Sequence, residues 1–285
     1  MRHGFRSSIV TVAVVSAAVG AIIAVSVTRT SGQAARPART ADGKPNFSGI
    51  WQALNEANWD LQAHDARPGA VTQQGVYPYD YARVPAAPVL ALGAAAGVPG
   101  SAGVVQGDGQ IPYTVEAAKI KQENAERWID RDPELKCYLP GIPRAMYLPY
   151  PFEIVQSTNK IQMAYEFTST ARTIHLDKVE PPPDDTYMGH SVGHWEGAKL
   201  VVDTVGINDR TWLDTQGHEH SDKLRLTETF EKTGPDTIHY SVTFQDPVFF
   251  TRAWTSERDF KRQKTRIMSY SCEENEKDRL HLQPK

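Results

Sequence analysis

The sequence has no surplus of positive charge and only one long apolar stretch. Its 31 Lys and Arg against 34 Asp and Glu give a net charge of -3, so nothing favours binding to a phosphate backbone, and nucleic acid is excluded as a partner. A single apolar stretch excludes a transporter with several membrane spans. No internal repeat is present, which favours one domain over a repeat array. The 40% of hydrophobic residues is enough to build the core of a globular domain.

The apolar stretch at residues 9–27 has the character of an export signal. It follows Arg2 and Arg6, which supply a basic start, and small residues suited to signal peptidase come after it. We therefore expect residues 1–34 to be a signal peptide, or an uncleaved anchor, because the stretch nearly spans a hydrocarbon core. Residues 35–45 are predicted to be a polar linker. The rest of the chain is then exported, either periplasmic or secreted, and meets the membrane only through its N-terminal segment.

Cysteine occurs only at Cys137 and Cys272. In an exported protein, two cysteines are more often bonded than free, so we predict a Cys137–Cys272 disulfide. Such a bond would restrict the unfolded chain by up to roughly 5 kcal/mol in the chain-entropy description. Two buried thiols are the alternative. A cysteine nucleophile has no recognisable activated setting in this sequence.

Residues 46–278 have the pattern of a single β-rich domain. One helix is predicted over 115–129, with Thr114 as its N-cap and long loops before it. From residue 150 onward, short segments of alternating apolar and polar residues, such as 161–167, are separated by turn formers. About eight strands are expected, which suits an antiparallel β-meander that forms a barrel or a strongly curved sheet. A two-sheet sandwich is the alternative, because periodicity does not distinguish the two.

A Gly-x-Trp motif at residues 49–51 resembles the opening motif of lipocalins and related calycin barrels. The resemblance implies a lipocalin-like barrel. It also implies that Trp51 packs beneath the first strand against a basic residue from a late strand. Arg252 and Arg258 are the candidates for that basic residue.

Longer motifs carry a second resemblance, which covers most of residues 45–275. They are FSGIW, PGIPR, MGHSVGHWEG with LVVDT, WLD, GHEHS and CEEN, at residues 47–51, 140–144, 188–197 with 200–204, 212–214, 217–221 and 272–275. Together they are similar to the motifs of a family of exported bacterial proteins of uncertain function. This resemblance implies export and a β-rich body, and it implies no particular reaction.

The densest group of chemically useful side chains lies between residues 190 and 222. It contains four of the nine histidines, with carboxylates close by in the chain: His190, His194, His218, His220, Glu196 and Asp214. Residues two apart in a strand share a face, so His190, His194 and Glu196 are expected to point the same way. A hairpin or short meander would then bring His220 near them, around a shared hollow.

Two chemical interpretations of this segment remain open. In the first, His190, His194 and His220 bind a divalent metal, Zn or Fe, although the spacing fits neither the cupin pattern nor the zincin motif. In the second, no cofactor is required, and the pairs His220–Asp214 and His194–Glu196 exchange protons with a substrate. A purely structural interpretation is that these polar groups build turns and hydrogen-bond the ends of strands.

Several aromatic residues and one arginine could contact a small organic ligand. The candidates are Tyr187, Trp195, Trp212, Arg144 and Trp254. Aromatic rings line many ligand cavities, and an arginine can clamp a carboxylate. Core packing would explain the aromatic residues equally well.

The leading hypothesis is an exported enzyme that processes a small organic molecule in a barrel cavity. It would act as an isomerase, lyase or hydrolase, with His220, His194, His190, Asp214 and Glu196 as its acid-base groups. One alternative is a noncatalytic calycin-like carrier of an apolar or aromatic ligand. Another is a structural protein of the cell envelope.

Overall fold

The computed structural model describes residues 38–68, 71–74, 81–84, 97–98 and 100–270. The predicted export segment and the second cysteine lie outside these residues, so export and the disulfide stay predictions. No free cysteine occurs in the described part. Within these ranges, no helix has the length and hydropathy needed to cross a bilayer.

Thirteen strands occur in the described ranges, and nine of them close into a barrel. The four short strands outside the barrel are β2 (Arg67–Pro68), β3 (Val71–Gln74), β4 (Tyr81–Val84) and β5 (Gly97–Val98), which pair as β2 with β5 and β3 with β4. The barrel strands are β1 (Gly49–Ala53), β6 (Phe152–Gln156), β7 (Lys160–Tyr165), β8 (Ala171–His175), β9 (His190–Glu196), β10 (Lys199–Val205), β11 (Arg225–Gly234), β12 (Thr237–Gln245) and β13 (Trp254–Gln263).

The barrel is a meander that β1 closes. Strands β6 to β13 are neighbours in chain order, and β1 pairs with both β13 and β6. Every barrel pair is antiparallel except β8 with β9, which is parallel. The prediction of a mainly β barrel is confirmed, and the sandwich alternative is wrong, because the sheet closes on itself and leaves no open edge.

The predicted helix is present but shorter than expected. Helix α1 (Val115–Glu126) begins after Thr114, whose hydroxyl accepts a hydrogen bond from the backbone N–H of Ala117 at 3.3 Å. A separate single turn, α2 (Trp128–Arg131), follows it. The N-cap at Thr114 therefore located the start of the helix correctly, while the exact end depended on local geometry.

The calycin-type contact at the start of the barrel is present with a different arginine. Arg262 on β13 places its guanidinium carbon 4.2 Å from the ring centroid of Trp51, which is fully buried. A side chain at Gly49 is strained by the positive φ of +146° and would also displace the Arg262 guanidinium from this position. The expectation for Arg252 or Arg258 was wrong: Arg252 is exposed in a surface ion pair, and Arg258 is buried elsewhere in the barrel.

A layer of polar side chains crosses the barrel interior. Five consecutive strands, β8 to β12, each contribute one buried member, namely Arg172, Ser191, Thr204, Glu228 and Tyr240. Arg172 Nη1 donates to Glu228 Oε1 at 2.9 Å, and its Nη2 forms an ion pair with Oε2 of the same carboxylate. Ser191, Thr204 and Tyr240 complete the hydrogen bonding of the pair. This layer joins the strands by directional bonds as well as by apolar packing.

Candidate functional site

The predicted strand residues share a face, as expected, but that face lies on the outside of the barrel. His194 and Glu196 are paired at 3.2 Å, with side chains 57% and 64% exposed. His190 is half-buried on the same outer face. The inward positions of β9 are taken by Ser191 and Gly193, which are buried. The expectation that these imidazoles point into a shared hollow was therefore wrong.

His220 is buried away from the surface, and its partners are not the predicted ones. Its Nδ1 donates to the carbonyl of Ser221 at 3.0 Å, and its Nε2 accepts from the hydroxyl of Thr211 at 2.8 Å. The predicted His220–Asp214 pair is wrong, because Asp214 is bonded to a different histidine. Burial lowers the pKa of His220, and the Ser221 carbonyl and nearby carboxylates oppose this only in part.

Acid should destabilise the protein through His220. Its pKa is 6.5 in an unfolded chain and lower in the folded protein, so the unfolded state binds a proton first as the pH falls. The stabilisation is complete above pH 6.5 and is lost toward the folded pKa. Lowering the pH from 7.5 to 5.5 should therefore decrease the free energy of unfolding through this site.

Urea unfolding at both pH values tests this in the wild type and in His220→Gln and His194→Gln. The His220→Gln variant should lose the pH-dependent difference, whereas the exposed His194→Gln variant should keep it. An identical pH dependence in His220→Gln and wild type would contradict the assignment.

The histidine that does meet carboxylates lies in the β10–β11 loop, residues 206–224, where it packs against the segment 55–64. Backbone hydrogen bonds join the two segments: Thr215 N–H donates to the Asn58 carbonyl at 3.0 Å. A bridge between Trp212 and Glu219 turns the loop back on itself. The loop conformation and this packing bring Asp214 and His218 next to a segment that is remote in the chain.

Asp214 and His218 form a fully buried hydrogen-bonded pair. His218 Nδ1 lies 2.6 Å from Asp214 Oδ2, and since a carboxylate accepts only, the imidazole carries its proton at Nδ1. The same oxygen accepts the N–H of Leu61 at 2.8 Å. Oδ1 accepts the backbone N–H groups of Gln216 and His218 at 3.0 and 3.4 Å. Four donors therefore fix the carboxylate, and the carboxylate fixes the imidazole.

The other ring nitrogen of His218 faces the surface through two amides. His218 Nε2 lies 2.9 Å from Gln62 Oε1, and Gln62 Nε2 lies 2.5 Å from Oε1 of the exposed Gln110. A half-turn of an amide exchanges its oxygen and its NH₂ group. Gln62 can therefore accept from a protonated Nε2 or donate to an unprotonated one. Tyr113 stacks flat on the ring, with centroids 5.6 Å apart and planes at 2°.

Asp60 adds a second carboxyl group beside this pair. It is 6% exposed, and its Oδ1 accepts the backbone N–H of Gln62 at 2.9 Å. Burial raises the pKa of Asp60, and the negative charge of Asp214 raises it further, while His218 opposes the shift. Asp60 therefore holds a proton more readily than an exposed aspartate.

The structure brings together three residues of types that bind metals, and they are not the three predicted ligands. Asp60, Asp214 and His218 each place one ligand atom within 4.8 Å of the others, and all three are buried. In the described ranges, His190, His194 and His220 do not form such a group. The chain thus holds three buried residues with the ligand chemistry of a divalent cation, at a place the sequence prediction did not specify.

Two of the predicted ligand-binding residues serve the protein itself. Arg144 is buried and bonds the carboxylate of Asp132 through two nitrogens at 2.7 and 2.8 Å, with Glu134 at 2.5 Å. It clamps carboxylates as its type suggests, but they belong to this chain. Trp212 is buried and donates its indole N–H to Glu219 at 2.8 Å.

The other three predicted ligand-binding residues are aromatic and pack on other rings. Trp195 stacks on Phe47 with centroids 5.6 Å apart, and Tyr187 stacks on Tyr138 at 6.4 Å. Trp254 is buried inside the barrel, and its indole nitrogen has no hydrogen-bond partner among the described residues. Of the three, Trp254 therefore keeps a buried indole donor without a described partner, and Arg144 likewise keeps an unbonded Nε.

The sequence prediction named Asp214 but not Asp60 or Gln62, and it paired Asp214 with His220, whereas the structure pairs it with His218. A usable signal was present for His218, because Asp214 and His218 are four residues apart in a loop that must turn. No comparable signal existed for the other partners, since Leu61 and Asp214 are 153 positions apart.

The chain matches no protein-family model, and no curated protein is significantly similar to it. The motif resemblance to an exported bacterial family therefore stays a prediction. Function has to be argued from the chemistry of the residues that the fold brings together.

Proposed function

We propose that the protein is an exported enzyme that processes a small organic molecule, with His218 and Asp214 as its acid-base pair. The main observation in support is the 2.6 Å contact between His218 Nδ1 and Asp214 Oδ2. A carboxylate in this position fixes the imidazole tautomer, orients the ring and stabilises its protonated form. The pairing replaces the predicted His220–Asp214 and His194–Glu196 pairs in this role.

Nε2 of His218 is the atom that exchanges a proton with the substrate. It is reached when the Gln62 side chain turns away, because that amide covers it at 2.9 Å. Asp60 has a carboxylate oxygen within 4.8 Å of a ring nitrogen of His218, and its raised pKa makes it hold a proton more readily than an exposed aspartate. A carboxyl group and an imidazole are therefore available together. Two such groups of different acidity suit hydrolysis, elimination or isomerisation. No cofactor is needed for this chemistry.

A carrier of apolar ligands has less support than an enzyme. The inward face of the barrel is crossed by the polar layer of Arg172, Glu228 and Tyr240, whose hydrogen bonds are satisfied within the protein. An apolar ligand in this region would have to lie against charged groups. Export rests on the N-terminal segment alone, and the Cys137–Cys272 disulfide would suit that compartment.

A panel of small substrates for hydrolases, lyases and isomerases tests the proposal. Wild-type protein should turn over at least one substrate about 10²- to 10⁴-fold faster than His218→Asn, because general acid-base catalysis contributes that much. The matched control is His194→Asn, which removes an exposed imidazole and should leave the rate unchanged. Wild-type rates no greater than those of His218→Asn across the panel would contradict the proposal.

A divalent metal is the second candidate, favoured by the approach of Asp60, Asp214 and His218 within 4.8 Å. Zn or Fe would suit an imidazole and two carboxylates. The acid-base proposal is preferred because both oxygens of Asp214 and Nδ1 of His218 already take part in hydrogen bonds. Metal analysis after purification without a histidine tag separates the two, since a stoichiometric ion lost in Asp60→Asn would favour the metal.

A further inference from the structure

Strand β13 has a row of hydrogen-bond donors on the face that points into the barrel. Trp254, Ser256 and Arg258 occupy alternate positions on the strand, so they share its inward face. All three are buried, at 3%, 0% and 6% exposure. Inward positions of a small barrel are normally filled by apolar side chains. Polar atoms at such positions are expected to have hydrogen-bond partners.

Most of these donors find no partner in the described part of the chain. Arg258 Nη2 donates to Ser256 Oγ at 2.5 Å, while Arg258 Nε and Nη1 are buried and unbonded. The indole N–H of Trp254 is likewise buried and unbonded. A buried donor without an acceptor costs about 1–3 kcal/mol, so three of them on one strand are not explained by packing.

The positive charge of Arg258 is also unbalanced. Three arginines are buried in the described ranges, and two of them have carboxylate partners: Arg144 pairs with Asp132, and Arg172 pairs with Glu228. Arg258 forms no ion pair with any described residue. Burial lowers its pKa, and only the phenols of Tyr147 and Tyr240 oppose this. The Arg258 guanidinium is therefore buried without an anionic partner among the described residues.

The surroundings of the guanidinium are aromatic. Its central carbon lies 4.2 Å from the ring centroid of Tyr147 and 5.7 Å from that of Tyr240. Trp254 stacks on Phe244 at 3.8 Å and meets the edge of Phe250 at 5.5 Å. A group bound here would meet cationic and indole donors at one end and ring faces around them.

An open surface cleft lies one ring away from this row. Phe250, which packs on Trp254, also lines a cleft of about 880 Å³, together with Leu224 and Arg252. The donor row is therefore separated from the cleft at this point by the Phe250 side chain.

We propose that the row formed by Trp254, Ser256 and Arg258 binds the carboxylate of a small organic acid. Nη1 of Arg258, which is free of partners among the described residues, can donate a charge-assisted hydrogen bond to a carboxylate oxygen, and the anion would balance the guanidinium charge. The indole N–H of Trp254 supplies a further donor, and the aromatic rings contact the apolar body of the acid. This assignment does not depend on the acid-base role proposed for His218.

The row and the acid-base pair are structurally connected. Tyr147 covers the Arg258 guanidinium with its ring, and its hydroxyl donates to the carbonyl of Leu213 at 2.6 Å, next to Asp214 in the chain. An acid held at Arg258 would therefore lie at the end of the barrel that carries the β10–β11 loop.

Calorimetry and thermal unfolding of the full chain with sodium acetate and sodium benzoate test the site. Either salt should raise the Tm of the wild type above the value in sodium chloride of equal ionic strength, and acetamide and benzamide should not. Affinity should fall at least about 10-fold in Arg258→Met, because the counter-charge and a charge-assisted hydrogen bond are lost. Trp254→Phe, which keeps the ring and removes one donor, should weaken binding less.

The matched control is Arg266→Met, which removes an exposed guanidinium just after β13 and should leave affinity unchanged. If Arg258→Met does not fold, the Trp254→Phe and Ser256→Ala variants carry the test, and unaltered affinity in both would overturn the proposal. It would equally be overturned by carboxylates that give no shift, by chloride giving the same shift, or by full binding in Arg258→Met. Each outcome can be read whether or not His218 is catalytic.

Discussion

Replacing Glu228 with alanine should lower the free energy of unfolding by about 3–5 kcal/mol. Glu228 is fully buried, and its two carboxylate oxygens accept from Arg172, Thr204 and Tyr240. Removing the carboxylate leaves the Arg172 guanidinium buried without a counter-charge. The Tyr240 hydroxyl also loses its acceptor, which adds the cost of another unsatisfied donor. Chemical denaturation at neutral pH measures the loss.

A glutamate on the same strand provides the control. Glu231 pairs with Lys199 at 3.4 Å with both side chains partly exposed, so Glu231→Ala should cost less than about 1 kcal/mol. The double variant Arg172→Met with Glu228→Leu should recover much of the stability lost in Glu228→Ala, because an apolar pair needs no counter-charge. Equal losses in Glu228→Ala and Glu231→Ala would show that the buried pair does not organise the barrel.

Asp214→Asn should destabilise the protein by about 3–5 kcal/mol, although the side chain keeps its shape. Each oxygen of Asp214 accepts two N–H donors, and an asparagine must turn its NH₂ group toward one pair of them. The NH₂ group then faces two N–H donors instead of accepting from them. These are either the Leu61 N–H and His218 Nδ1–H or the backbone N–H groups of residues 216 and 218. Thermal and urea unfolding measure the effect.

The comparison variant for this position is Asp209→Asn. Asp209 is exposed in the same loop, so its replacement should change stability by less than about 0.5 kcal/mol. A similarly small change in Asp214→Asn would mean that the four hydrogen bonds do not hold the loop against the segment 55–64.

The strands could be predicted because they depend on local periodicity, and the start of the helix because Thr114 caps it. Alternation along 161–165 gave the correct buried face, with Ile161, Met163 and Tyr165 inside. The closure of the barrel could not be predicted in this way. It depends on β1 pairing with β6 and β13, which come far later in the chain.

The candidate site was predicted less well, because a shared face does not indicate which side of a sheet it occupies. His190, His194 and Glu196 are all polar, and a polar face of a strand belongs outside unless it is paired within. Gly193 shows why the inner side excludes them, since even a Cβ there would lie 2.9 Å from a methyl group of Ile174. The apolar and polar pattern of the strand therefore indicates its orientation better than the clustering of histidines does.

The most direct measurement is the protonation of the two ring nitrogens of His218 by NMR on histidine-labelled protein. We expect a proton on Nδ1, protected from exchange with water, because Asp214 accepts it at 2.6 Å in a fully buried position. Asp214→Ala, which leaves no acceptor for this proton, should lose the signal, whereas His194→Asn should retain it. A His218 ring with an unprotonated Nδ1, or a signal unchanged in Asp214→Ala, would contradict the acid-base pair on which the proposed function depends.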